Sequence, residues 1–238
     1  MKLKETIFNN IPTEMRRKDV FVLEGIRYAY GMINLTYKNL EILLLHASTK
    51  KESESINFYG IFKEAWSLID LSWRLRNIIC LLENKSTENN KSKLLDLSFF
   101  NPVREFRNTL QHLDERIEEV LVVQNDYLWG TLSWLYTKDA QKFLSISMAP
   151  GHPRSSVSVN AINPAGQNIK IPLSHITLDS LNRQKLRISL NLTELYEQID
   201  RMLLDLDAIL RPQIEKMDNS KKFGQDLMIV IEMKPKKN

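Results

Sequence analysis

Apolar residues recur along the first half of the chain at spacings of three and four. Leu23, Ile26, Tyr30, Ile33, Tyr37, Leu40 and Leu44 form one such series. On a helix of 3.6 residues per turn they fall on a single stripe, which predicts a long helix starting after Pro12-Thr13 and fading at His46-Ala47-Ser48. A second series runs through Ile61, Ala65, Leu68, Ser72, Leu75, Ile79 and Leu82. Phe62, Trp66, Ile69 and Trp73 form a neighbouring row. A helix apolar over so wide an arc needs contacts on two sides: one from the intrachain core, the other from a partner chain. The polar stretch 84–93 reads as a loop. Asn101-Pro102 then reads as an N-cap followed by proline at the first helical position. The helix it opens carries Val103, Phe106, Leu110, Leu113, Ile117 and Val120 as a bundle seam.

Near Asn125 the period changes to two. Leu144, Ile146 and Met148 alternate with Ser145 and Ser147. Val157 and Val159 alternate with Ser156 and Ser158. Ile169 and Ile171 flank Lys170, and Leu186, Ile188 and Leu190 flank Arg187 and Ser189. This predicts a small antiparallel sheet with one buried face, its first strand taking in Trp129-Gly130 and Trp134. Turn punctuation is read at 149–153, at 163–166 and at Asp179-Ser180. Helix returns at Asn191, where Glu194 stands in capping-box position. Leu192, Leu195, Ile199, Met202, Leu206 and Ile209 give its seam, and Pro212 is expected to end or kink it. The apolar run 227–231 is read as an added strand.

The predicted organisation is α+β: an up-down helical bundle over 1–124, an antiparallel β insertion over 125–190, a returning helix over 191–220 and a tail over 221–238. Apolar residues make up 43% of the 238 and charged residues 26%, which excludes a disordered or collagen-like chain. A single cysteine, Cys80, permits no internal disulfide and suits a reducing compartment. Its apolar helical context reads as an inert buried thiol. No apolar run reaches the ~18 residues of a membrane span, and the first ten residues lack a signal-peptide stretch. A cytoplasmic protein without membrane partners is expected. Net charge is +4, too diffuse to mark a polyanion surface by itself.

Most site chemistries find no residues here. Seven glycines form no phosphate cradle, and there is no Gly-Lys-Ser/Thr signature. His46, His112, His152 and His175 lie far apart, so neither metal spacing nor a cofactor is expected. Trp66 and Trp73, two helical turns apart, read as packing rather than as a stacking platform. The exception is Arg104-Glu105-Phe106-Arg107-Asn108-Thr109-Leu110-Gln111-His112. At ~100° per residue, Arg104, Asn108 and His112 share a row turned away from the seam, with Arg107 flanking it and Glu115 and Glu119 continuing that face. Metal-free RNA cleavage needs a proton-transfer group and a cation for the developing phosphorane charge. Histidine and arginine supply these.

Arg107-Asn108-Thr109-Leu110-Gln111-His112 resembles the signature of the HEPN superfamily, helical-bundle proteins of many toxin and defence systems. The resemblance implies a metal-independent endoribonuclease, possibly of toxin type with an antitoxin or other protein partner. It also implies a homodimer whose two motifs line a shared cleft on RNA. In that reading Arg107 contacts the scissile phosphate, Asn108 positions it, His112 transfers the proton, and Arg104 adds an RNA contact. Two alternatives stand beside it. In one, the segment is a solvated helix face whose arginines pair with Glu105 or Glu115. In the other, the chain is a non-catalytic dimeric interaction or RNA-binding module.

Overall fold

The computed structural model describes residues 6–50, 55–83, 95–117, 127–139, 142–151, 172–182, 184–217, 222 and 226–230. The chain is α+β, with helices packed around a four-stranded antiparallel sheet. A 3-10 turn at Ile7–Asn9 precedes α1 (Arg17–Thr49), and α2 (Phe58–Glu83) follows. A second 3-10 turn, Ser98–Phe100, leads into α3 (Asn101–Gln111) and the one-turn α4 (Leu113–Arg116). The strands β1 (Thr131–Asp139), β2 (Lys142–Met148), β3 (Leu173–Leu181) and β4 (Arg187–Asn191) stand in the order β2-β1-β3-β4. The returning helix α5 is Leu192–Ile214. Several expected features, the 84–93 loop, Val120, Glu119, the 156–160 and 169–171 strands and His152, lie outside the described residues.

The helical stripes behave as their spacing predicts. Ile26, Ile33, Leu40 and Leu44 of α1 are completely buried. So are Ala65, Leu68, Leu75 and Ile79 of α2, with Trp66 and Ile69 nearly so. Both sides of the wide α2 arc are therefore filled from within the chain. The α1–α2 contact is close: a Cβ on Gly25 would lie 3.4 Å from Ile78. On α5, Leu192, Ile199, Leu203 and Leu206 are inside. Tyrosines join α5 to α1. The Tyr37 and Tyr196 rings stack at 4.1 Å, Tyr196 donates to Asn34 at 2.8 Å, and Tyr30 donates to Asp200. Burial first, and then the bond to Asp200, pushes the Tyr30 hydroxyl above its ordinary pKa.

The sheet shares this core. Leu132, Trp134, Ile176 and Leu178 are fully buried within the same cluster as the helices. Trp134 is the largest fully buried side chain among the described residues. Its indole N–H donates to Ser48 Oγ at 2.8 Å, and Ser48 in turn donates to the Leu44 carbonyl at 2.7 Å. The last turn of α1 is thereby fastened to β1.

Several local expectations are corrected. Asn101 is the first residue of α3 and not its cap, because Ser98–Phe100 already turns the chain. The third helix is not continuous: His112 leaves helical geometry at φ −112°, ψ 36°, and the seam breaks there. Trp129-Gly130 precedes β1. Gly130 has φ +77°, and a Cβ there would stand 2.2 Å from the Asp179 carbonyl oxygen. Asp179-Ser180 is not a turn but lies within β3, and both residues are buried. The chain turns after Asn182, where Lys185 takes φ 63° and Asn182 Oδ1 accepts from Leu186 N at 3.0 Å. A bulge in β3 opposite 133–135 holds His175 at φ 53°. It lets Leu173 and Ile176, an odd number of residues apart, both face the core. Asn191 caps α5 as predicted, accepting from Glu194 N at 3.1 Å. Pro212 does not end α5, which runs on to Ile214. Residues 226–230 form no strand.

Trp134→Ala should lower unfolding free energy by about 3–5 kcal/mol, from lost burial and a cavity. Ser48→Ala should cost about 1–3 kcal/mol by orphaning the indole N–H. Urea unfolding followed by far-UV circular dichroism reads both.

Candidate functional site

Helix α3 is placed by apolar contacts on one side and polar ones on the other. Val103 and Phe106 are fully buried, and Phe106 meets Trp66 of α2 at 6.0 Å between ring centroids. Glu105 Oε1 accepts from Asn182 Nδ2 at 2.6 Å, pinning α3 to the β3–β4 turn. Arg107 lies between the two sides, its side chain one quarter exposed. Its Nε donates to Asp70 Oδ1 of α2 at 3.2 Å, and Nη1 donates to Gln111 Oε1 at 3.1 Å. These bonds leave Nη2 without a partner among the described residues. Asp70 also accepts from Arg74 at 2.6 Å. Burial pushes the Asp70 carboxyl up, but the hydrogen bonds from Arg74 and Arg107 outweigh this and hold it below its ordinary value.

Arg104 and Asn108 are exposed on the row the sequence predicts. His112 stands one turn beyond, where α3 ends. Its N–H still reaches the Asn108 carbonyl at 3.3 Å, so the spacing of the row survives the break. The imidazole is about half exposed, and Nδ1 lies 3.3 Å from Glu115 Oε1. An ionised carboxylate only accepts, so Nδ1 is the donor in this contact, and in the neutral imidazole Nε2 would be the acceptor. The glutamates flanking the motif are thus not the partners of the arginines. Arg107 pairs with Asp70, Glu105 with Asn182, and Glu115 with His112. Asp70 was not legible as a site residue, because its contact with Arg107 spans helices 37 positions apart.

Beside the C-terminal end of α3 lies a groove of about 870 Å³. Leu110 lines it with Phe58, Tyr59, Phe62, Trp66 and Trp129. Tyr59 is 92% exposed, whereas Trp66 is buried and donates its indole N–H to the Trp129 carbonyl at 3.3 Å. Trp66 therefore forms the floor, and Tyr59 and Trp129 offer ring surface. The sequence reading of Trp66 as packing holds, but the groove was missed, because Trp129 and Ala149 reach it only through the fold. Among the described residues no three metal-ligating side chains gather, and no helix is long and apolar enough to cross a membrane. Cys80 is half-buried rather than buried.

The depressed Asp70 carboxyl contributes stability above its unfolded pKa near 4, and that contribution is lost as pH falls through its lower folded value. Asp70→Asn should therefore flatten the acid limb of a stability–pH curve by less than about 1 kcal/mol, as befits a partly exposed pair. Thermal melts of both proteins across about pH 3–7 check this.

No family model, no curated protein and no solved structure matches this chain.

Proposed function

We propose that the exposed row on α3 is the active surface of a metal-independent endoribonuclease acting on single-stranded RNA. The observation that carries the reading is the half-exposed His112 imidazole, with Glu115 at Nδ1, at the end of the short helix that carries the anchored Arg107 guanidinium. Nε2 of His112 takes the proton of the 2′-hydroxyl as that oxygen attacks phosphorus. Arg107, through Nη2, and Arg104 offset the charge on the phosphorane oxygens, and Asn108 orients the phosphate. The 5′-oxygen leaves with a proton returned from the imidazolium or from water. The products are a 2′,3′-cyclic phosphate and a 5′-hydroxyl. Bases flanking the scissile bond stack on Tyr59 and Trp129 in the neighbouring groove, which favours unpaired RNA over duplex. Both the family resemblance and this chemistry suit a toxin or defence effector held in check by a protein partner. A second reading, a non-catalytic interaction module, draws support from the long exposed apolar face of α1.

Purified protein should cut single-stranded RNA in the presence of EDTA. His112→Ala should reduce the rate about 10²–10⁴-fold, the range for loss of a proton-transfer group. Arg107→Ala should slow cleavage comparably, and Tyr59→Ala should mainly raise KM. Cleavage by His112→Ala at the wild-type rate would overturn the reading.

A further inference from the structure

Helix α1 carries a second apolar stripe that stays about half-exposed or more among the described residues, with Arg17 over its Phe21 ring and Arg27 over its Tyr28 ring. Phe21, Tyr28, Met32, Leu35 and Ile42 follow one another at intervals of seven, four, three and seven. Their exposures are 58%, 51%, 46%, 61% and 65%. From Phe21 to Ile42 the stripe runs about 30 Å at 1.5 Å per residue. Isolated exposed apolar residues are ordinary, but a continuous row at coiled-coil spacing is not.

The stripe is symmetric about its own middle. A two-fold axis between Gly31 and Met32 sets Phe21 against Ile42 and Tyr28 against Leu35 of a second copy. It also brings the two copies of Met32 together near the axis. Helical angles of ~100° per residue put Glu24 and Lys38 on the same flank of the stripe. In an antiparallel pair, same-flank positions face each other, so this axis brings Glu24 of each copy to Lys38 of the other. Both the apolar and the charged positions are self-complementary in one register, as an isologous interface requires.

We propose that the chain forms a homodimer through antiparallel pairing of α1 with α1 of a second copy, centred between Gly31 and Met32. Residues 227–230, each at least 70% exposed, adjoin this face, because Asp226 accepts from Arg27 at 2.8 Å and from Tyr28. They extend the area available to the second copy. The candidate motif sits on α3, which packs on α2 and β4. This dimer is therefore built on a different helix from the motif.

Sedimentation velocity on the full chain at up to about 100 µM should give twice the chain mass, with concentration-dependent dissociation. Met32→Glu and Leu35→Glu should give monomers whose circular dichroism is unchanged. Glu24→Lys should weaken association about fivefold or more by like-charge contact, and the Glu24→Lys/Lys38→Glu double exchange should restore it. A wild-type monomer throughout, as when residues 227–230 cover the stripe in their own chain, would overturn the proposal. So would a dimer untouched by Met32→Glu, or a double exchange no better than the single. The inference does not rest on the ribonuclease reading. A monomer that cleaves RNA sinks this proposal alone, and a dimer inert toward RNA sinks only the other.

Discussion

A buried indole must give its N–H to an acceptor, and in this protein the acceptor for Trp134 stands on the last turn of a helix 86 positions earlier in the chain. That bond and the burial around it decide where the sheet sits. With β1 fastened to the end of α1, Leu132, Ile176 and Leu178 are carried into the helical core, and one hydrophobic interior serves both layers. The β3 bulge keeps Leu173 and Ile176 on that inner side, and Asn191, the last residue of β4, caps α5. The sheet therefore helps to build the bundle that receives α5.

The placement of α3 follows from this arrangement. The β3–β4 turn holds Glu105, α2 holds Phe106 and Arg107, and the helix ends at His112 beyond these anchors. A helix fixed along one side by packing presents its other side to solvent. Arg104, Asn108 and His112 occupy that open side, and Arg107 is shared between the two. Asp70 restrains the guanidinium and limits its rotamer freedom. The neighbouring groove adds ring surface from Tyr59 and Trp129, with Lys63 on its lining.

The two long helices divide their apolar surface differently. In α2 a wide apolar arc is consumed inside the chain, against α1, α3 and α5. In α1 the narrower buried stripe satisfies the fold, and a separate apolar row is left in solvent. The width of a helix's apolar arc is thus no guide to which helix keeps apolar surface in solvent. What matters is how many neighbours the topology supplies to each face.

Sequence alone determined whatever depends on residues close together in the chain. The two helical stripes, the change to period two, the Asn191 cap and the row of Arg104, Asn108 and His112 all follow from fixed helical and strand periods, which need no tertiary information. Tertiary structure decided everything that depends on who meets whom. The break at His112, the course of β3 through Asp179-Ser180, the Asp70–Arg107 pair and the aromatic groove arise from contacts between distant segments. In each case the local preference was weak: a few tenths of a kilocalorie for a turn or helix residue, against the larger energies of burying Trp134 or Phe106.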